Sequence, residues 1–192
     1  MLHISKPVFK QKLMPVNIII YDDNLTLRES LVNLIALNAD YKIGGSFSGC
    51  NTVVQQVMEI QPDVILMDID MPGINGIEAV KVIRAVDRTV QIIMLTVFDD
   101  NTHVFDALCA GANGYLLKKY VSDKLIHAIQ DVLEGGAPMS PSIARMVINN
   151  MQQPAPKGDY QLTSREKEIL QLLSQGNSFK LIATELSISI DT

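Results

Sequence analysis

Carboxylate, hydroxyl and amine side chains stand where four apolar runs of the sequence end. An Asp22-Asp23 pair follows one run, Asp68 follows another, and Thr96 and Lys118 close two more. Three carboxylates that lie close together repel one another, and each raises the pKa of the others. A hard divalent cation bound between them relieves this repulsion. Mg²⁺ is typically held by few carboxylates and keeps several waters. If the run ends meet in the fold, their chemistry is that of a magnesium site.

The same groups can carry out phosphoryl transfer. With a cation bound beside it, Asp68 can attack a phosphorus atom and form an aspartyl phosphate. Lys118 can then contact one phosphoryl oxygen, and the Thr96 hydroxyl another. Taken singly, each residue has a simpler interpretation, such as a β-branched strand residue or a charge that is solvated in a loop. The combination favours the site, because every one of these residues follows an apolar run.

The apolar runs predict the elements that position these groups. Val64-Ile65-Leu66-Met67, just before Asp68, is typical of a strand that is buried on both faces. Strand and helix patterns alternate five times over residues 15–135. Such alternation favours an α/β fold, a doubly wound five-stranded parallel sheet with helices on both faces. Parallel strands bring their carboxyl ends to one edge, so the polar ends should meet there.

Capping residues predict where two of these helices begin. Asn24 or Thr26 can cap the first helix, and Glu29 follows Thr26 at the spacing of a capping box. Ser122 is expected to cap the fifth helix.

The alternating pattern ends near residue 135. Residues 136–160 are interpreted as a linker with a short helix that begins after Ser140. Thr163 and Glu166 then form a capping-box pattern. Two short helices in residues 161–192, joined across a Gly-Asn turn, indicate a small all-α helix-turn-helix module.

Composition excludes several broad classes of protein. The chain has 192 residues, 47% hydrophobic and 19% charged, which is typical of a packed globular protein. Its net charge of −5 gives no overall basic surplus that would favour nucleic acid. No apolar run approaches the roughly 18 residues that span a membrane, so no membrane partner is expected. Cys50 and Cys109 lack metal or redox spacing, which predicts free thiols in a reducing cytoplasm, and residues 1–14 are interpreted as an N-terminal extension.

Residues 15–135 resemble the receiver domain of bacterial two-component response regulators, which has a flavodoxin-like fold. The motifs that carry the resemblance are Asp22-Asp23, Asp68 within DIDMPG, Thr96 within MLT, and Lys118 within GYLLK. The resemblance implies that Asp68 is the phosphoacceptor. It also implies that Thr96 and Lys118 complete the catalytic set.

A magnesium site is part of what this resemblance implies. The side chains of Asp23 and Asp68 would bind Mg²⁺ directly. The backbone carbonyl of Asp70 would complete the protein ligands, and Asp22 would act through water.

A switch is also implied by the resemblance. Tyr115 matches the aromatic switch position of the family and would act together with Thr96, repacking inward on phosphorylation. One departure from the family pattern is Lys119, which follows Lys118 where many receivers have a proline in a cis peptide bond.

The 161–192 region resembles a LuxR-type DNA-binding domain, and the whole chain is similar to NarL/FixJ-class transcriptional regulators. Phe179 stands where asparagine is usual, and Leu181 where glutamate is usual. The resemblance implies a recognition helix that begins near Thr192, so we expect a C-terminally truncated chain with a partial domain. Lys180 and Thr192 are the expected DNA contacts, and DNA binding by this chain should be weak or absent.

Together the resemblances imply a cytoplasmic response regulator that accepts a phosphoryl group on Asp68 from a sensor histidine kinase. It would regulate transcription through its C-terminal DNA-binding domain and form a homodimer that depends on phosphorylation. It would not be an enzyme beyond its own phosphoryl transfer and autodephosphorylation.

Two other classes remain open on sequence grounds. Enzymes of the haloacid-dehalogenase type also place an Asp-x-Asp motif after an apolar strand and use Mg²⁺. They have Thr or Val four residues after the first acid, where this chain has Pro72, and they leave Asp22-Asp23 unexplained. The other class is a protein-binding module that is never phosphorylated, which a failure to label Asp68 would favour.

Overall fold

The computed structural model describes residues 14–152, 163–174 and 179–186 of the chain. The chain divides into two compact units, Met1–Gln152 and Gln153–Thr192. Most of the extension predicted for residues 1–14 lies outside the described ranges, as do Thr192 and the side chain of Lys180. Within those ranges, no helix combines the length and apolarity needed to cross a bilayer.

A parallel sheet of five strands forms the centre of the first unit. The strands are β1 (Val16–Tyr21), β2 (Tyr41–Phe47), β3 (Val64–Met67), β4 (Gln91–Thr96) and β5 (Gly114–Leu117). Their order is β2-β1-β3-β4-β5, with β3 in the middle. All residues of β3 and β5 are buried, which explains why these runs are wholly apolar.

Helices cover both faces of the sheet. They are α1 (Leu25–Ala36), α2 (Val53–Ile60), α3 (Gly76–Val86), α4 (Asn101–Ala110) and α5 (Val121–Leu133). Leu31 of α1 and Leu125 of α5 pack in one apolar cluster. Val57 of α2, Ile83 of α3 and Val104 of α4 pack in the other. The α/β, doubly wound architecture predicted from the sequence is confirmed.

The helix starts decide between the predicted caps. Asn24, not Thr26, caps α1, because its side chain accepts the N–H of the residue three positions on. The prediction for Ser122 is wrong: α5 begins at Val121 and has no side-chain cap. A 3-10 turn, Lys118–Tyr120, leads directly into α5, so that Ser122 lies inside the helix.

A sixth helix, α6 (Pro141–Gln152), belongs to the first unit, whereas the sequence pattern predicted a short helix within a linker over residues 136–160. Ser140 caps it, since the hydroxyl accepts from the N–H of Ile143 at 3.3 Å. The helix packs against α4, and Ile143 is fully buried. The difference has a simple origin: an apolar stripe predicts that a helix is packed, but not which surface it packs against.

The described part of the second unit consists of two helices, α7 (Ser164–Ser174) and α8 (Phe179–Glu185). The predicted capping box is present: the Thr163 N–H donates to the Glu166 carboxylate at 2.8 Å, and the Glu166 N–H donates to the Thr163 hydroxyl at 3.3 Å. The Arg165 guanidinium donates to the carbonyl of Leu186, just after α8. This contact links the start of α7 to the end of α8.

Candidate functional site

The polar residues that end the strands meet at one edge of the sheet. Asp22 follows β1, Asp68 follows β3, Thr96 closes β4, and Lys118 follows β5. Asp22, Asp68 and Thr96 are 1%, 3% and 0% exposed, whereas Asp23 is exposed. One carboxylate oxygen from each of Asp22, Asp23 and Asp68 lies within 4.8 Å of the other two. The strand ends thus bring three acids and an amine together, with Thr96 at the end of the neighbouring strand on the same edge.

Lys118 links two of the carboxylates. Its Nζ atom donates a hydrogen bond to Oδ2 of Asp68 at 2.7 Å and lies 2.8 Å from Oδ2 of Asp22. The contact with Asp22 is an ion pair between two groups that are largely buried. The peptide bond between Lys118 and Lys119 is trans, as are all those described. With Lys119 as the next residue, Lys118 is in contact with both Asp22 and Asp68.

The backbone around Asp68 is held tightly. Its N–H donates to the Tyr21 carbonyl at 2.9 Å, and its Oδ1 accepts from the Ile69 N–H at 2.8 Å. Gly76, the first residue of α3, approaches so closely that a Cβ there would lie 1.8 Å from the Asp68 carbonyl oxygen. Only glycine fits at this position, and the close approach of α3 fixes Asp68 at the edge of the sheet.

The site carries more negative than positive charge. Burial raises the pKa of Asp68 above its ordinary value; the neighbouring Asp22 acts in the same direction, and Lys118 opposes it. Burial alone would lower the pKa of Lys118, but its contacts with Asp22 and Asp68 outweigh that effect and raise the pKa. The two shifts have different causes: burial dominates at Asp68, whereas the two carboxylates in contact with the ammonium group dominate at Lys118.

The donor set suits a hard divalent cation. Three carboxylates supply oxygen ligands, which Mg²⁺ prefers and softer metals do not. Asp22 uses Oδ1 to accept the Asn24 N–H at 2.9 Å, while its Oδ2 faces Lys118. Asp70 lies two residues beyond Asp68 and is exposed. The excess negative charge and the oxygen donors therefore fit the ion that the sequence pattern predicts.

Thr96 and Tyr115 both bond to the backbone of Phe98. The Phe98 N–H donates to Thr96 Oγ1 at 3.2 Å, and the Tyr115 hydroxyl donates to the Phe98 carbonyl at 3.0 Å. Tyr115 is fully buried, and burial raises its pKa. The Phe98 ring stacks on His103 with 4.3 Å between centroids. The loop between β4 and α4 is thus held by the residue that ends β4, by β5 and by α4 itself.

Two residues that contact the backbone of the site cannot be predicted from the sequence. Arg28, one turn into α1, donates to the backbone carbonyl of Asp22. Phe98 joins Thr96 to Tyr115. No spacing rule singles out either residue, because Arg28 bonds to a backbone carbonyl, which every residue type has, and Phe98 takes part through its own backbone.

Comparison with known proteins identifies both parts of the chain. Residues 18–130 match the model of the response regulator receiver domain, and residues 160–192 match that of the luxR family of bacterial regulatory proteins. The transcriptional regulatory protein DegU of Brevibacillus brevis is 32% identical over an alignment 194 residues long. The alignment covers 92% of this chain and 82% of that protein.

Further relatives agree with these matches. The nitrate/nitrite response regulator protein NarL of Escherichia coli K12 is 30% identical over 181 residues, covering 93% of this chain and 84% of that protein. The crystal structure of a LuxR-family two-component response regulator from Aurantimonas sp. SI85-9A1 has a TM-score of 0.67 and 30% identity, over 71% of this chain and 98% of that one. The chain therefore belongs to the NarL/LuxR family of response regulators, two-component transcription regulators that combine a receiver domain with a LuxR-type DNA-binding domain.

Proposed function

We propose that this response regulator accepts a phosphoryl group on Asp68 from a sensor histidine kinase. An Asp68 carboxylate oxygen bonds to phosphorus while the bond from phosphorus to the donor's imidazole nitrogen breaks, and that nitrogen keeps the electron pair. The observation that carries the proposal is the position of Lys118 Nζ, 2.7 Å from Asp68 and 2.8 Å from Asp22. An ammonium group there can stabilise a phosphoryl oxygen, and Thr96 at the end of β4 is assigned to a second oxygen.

Mg²⁺ is the proposed cofactor. The side chains of Asp23 and Asp68 and the backbone carbonyl of Asp70 would hold it, with Asp22 acting through water. When bound, the ion supplies positive charge that offsets the carboxylates and the phosphoryl oxygens. The proposal is supported by the carboxylate oxygens that lie within 4.8 Å of one another and by the excess of negative charge around them.

Thr96 and Tyr115 form the proposed switch. Phosphorylation would draw the Thr96 hydroxyl toward the phosphoryl group and disturb the bond that it accepts from the Phe98 N–H. Because Phe98 also accepts from Tyr115, the change would reach β5. A two-state equilibrium would then shift in the face formed by α4, β5 and α5, with the buried Tyr115 seen in this structure as the favoured arrangement.

The second unit is the proposed output. Its LuxR-type region would contact DNA, at most weakly in this chain, with Lys180 and Thr192 at phosphate groups, in a homodimer whose formation depends on phosphorylation. The match over residues 160–192 and the paired helices α7 and α8 support this role. The protein would act in the cytoplasm, and its catalysis would be limited to its own phosphoryl transfer and autodephosphorylation.

Labelling with radioactive acetyl phosphate tests the proposal. Wild type should incorporate label only when Mg²⁺ is present, and Asp68→Asn should incorporate none, because an amide is no nucleophile at phosphorus. Asp99→Asn is the matched control, since it removes an exposed carboxylate from the loop that follows β4 at the same edge. It should label at the wild-type rate.

Two results would contradict the proposal. Label that survives in Asp68→Asn would move the nucleophile to another residue. Repeated turnover of a generic phosphate ester would favour an enzyme of the dehalogenase type instead.

A further inference from the structure

The strap, residues 138–152, closes the open side of β5. It consists of a short extended stretch followed by α6. The Tyr115 N–H donates to the Pro138 carbonyl at 2.8 Å, and Met139 forms a parallel bridge with Tyr115. The strap therefore pairs with the edge strand at the very residue that is assigned to the switch.

The rest of the strap packs on α4. Ile143 is fully buried and belongs to the same apolar cluster as Tyr115 and Val104. At the sheet edge the fit is so close that a Cβ on Gly114 would lie 2.7 Å from Pro138 Cγ. The contact thus runs from the edge strand along α4, and it depends on the absence of a side chain at position 114.

Tyr115 joins the strap to the phosphorylation site. Its backbone N–H is bonded to the strap, and its hydroxyl donates to the Phe98 carbonyl. The Phe98 N–H in turn donates to Thr96 Oγ1. The strap and the loop that carries Phe98 therefore bond to the same buried tyrosine, one at its backbone and the other at its hydroxyl.

We propose that docking of the strap and phosphorylation of Asp68 favour the same buried arrangement of Tyr115, so that each strengthens the other. This inference rests on the proposed function of Asp68. Coupling between two sites is reciprocal in binding free energy. A loosened strap must therefore weaken the binding of a phosphoryl analogue, and the analogue must tighten the strap.

Beryllofluoride, a non-covalent analogue of the phosphoryl group, tests the coupling in the full chain with saturating Mg²⁺. Ile143→Ala should raise the half-saturating concentration about fivefold or more, as measured by fluorine NMR. Ile148→Ala is the matched control, because it removes the same atoms from an exposed position of the same helix. It should bind as wild type does. If Ile143→Ala proves unfolded by circular dichroism, Ser140→Ala, which removes the cap of α6, carries the test with a smaller shift in the same direction.

Hydrogen exchange measures the coupling in reverse. The amides of α6 should exchange several-fold more slowly in wild type when beryllofluoride is bound. Equal half-saturation in the strap variants and the control, or α6 exchange that is unchanged or faster on binding, overturns the coupling and leaves the proposed function intact. Wild type that neither binds the analogue nor labels at Asp68 contradicts the proposed function, and this inference with it.

Discussion

The two edges of the parallel sheet differ in how their charges are balanced. At the amino edge, the Arg84 guanidinium donates to the carbonyls of Gly111 and Val90 at 2.9 and 2.8 Å, and to Asn113 Oδ1 at 2.6 Å. At the carboxyl edge, Asp22 and Asp68 share the ammonium group of Lys118, and the carboxylate of Asp23 lies beside them. At the amino edge the cation donates to uncharged oxygens that tie loops together, and one carboxylate, Asp87, lies near enough to interact with it. The carboxyl edge keeps an excess of negative charge, which a bound cation would offset. In open α/β sheets, ligands bind at this edge.

Asn17 makes a second set of structural hydrogen bonds in the amino half of the sheet. Its N–H donates to the Asp63 carboxylate at 2.8 Å, and its side-chain amide donates to the Ile60 carbonyl at 2.8 Å. Gly44 lies against it, where β2 skips one residue in its register with β1. These bonds connect β1 to the segment that precedes β3, so they serve stability rather than chemistry.

Removing a carboxylate from the carboxyl edge should have the largest effect, and that effect should be on function. Asp23→Ala should slow labelling by acetyl phosphate about 100-fold, the loss typical when one electrostatic group of a site is removed. Its free energy of unfolding, measured with urea in EDTA, should not fall, because repulsion among the carboxylates is relieved. Asp40→Ala makes the same charge change at an exposed position near the amino edge and should label normally. A wild-type labelling rate in Asp23→Ala would exclude that carboxylate from the site.

The opposite result is expected at the amino edge. Arg84→Ala should lower the free energy of unfolding by about 2–3 kcal/mol, because several acceptors lose a charged donor. The folded fraction should still label at a normal rate. Arg88→Ala removes an exposed arginine just after the same helix and should change stability by no more than about 0.5 kcal/mol. Equal urea midpoints for the two variants would show that Arg84 does not hold this edge.

A methyl group added beside Asn17 should have a smaller effect. Gly44→Ala would bring a Cβ to 2.4 Å from Asn17 Oδ1 and 2.7 Å from Ile60 Cγ2. The surrounding atoms must shift to make room for this Cβ. The free energy of unfolding, measured by thermal denaturation, should therefore fall by about 1–2 kcal/mol, with labelling unchanged. Gly49→Ala is the control at the carboxyl edge, where the nearest atom is 3.7 Å away. The comparison fails if Gly49→Ala is the more destabilised of the two.

The sequence predicts the carboxyl edge better than the amino edge. Thr96 and Lys118 can be placed because parallel strands share a direction, so the end of each apolar run specifies the edge. Arg84 and Asn17 cannot be found in this way. They bond mainly to backbone carbonyl groups, and every residue type has a carbonyl.

The packing of the strap cannot be predicted from the sequence for a similar reason. The apolar stripe that contains Ile143 predicts that α6 is packed, but α4 becomes its partner only in the tertiary structure. Pro138 looks like a residue that ends pairing because it has no N–H. It pairs with Tyr115 all the same, since only its carbonyl is used.

The smallest predicted effect is a pH dependence at the amino edge. The Asp87 carboxylate accepts from the Thr89 N–H and hydroxyl at 2.7 and 2.8 Å and from the Val90 N–H at 3.0 Å. Burial acts to raise the pKa of Asp87, but these bonds outweigh it and hold the pKa below its ordinary value of 3.8. A lowered pKa stabilises the fold above the ordinary value, and that stabilisation is lost as the pH falls through the pKa of the folded state.

Asp87→Asn isolates the contribution of the charge, because the amide oxygen can still accept hydrogen bonds. At pH 7 the variant should be less stable than wild type by less than about 1 kcal/mol, since the carboxylate is only partly buried and solvent screens it. The difference should shrink in urea denaturation as the pH falls below 3.8. A difference of equal size in acid and at neutral pH would mean that shape, not charge, makes Asp87 stabilising. The amino edge would then owe nothing to ionised carboxylates at this position, and its contrast with the carboxyl edge would be sharper still.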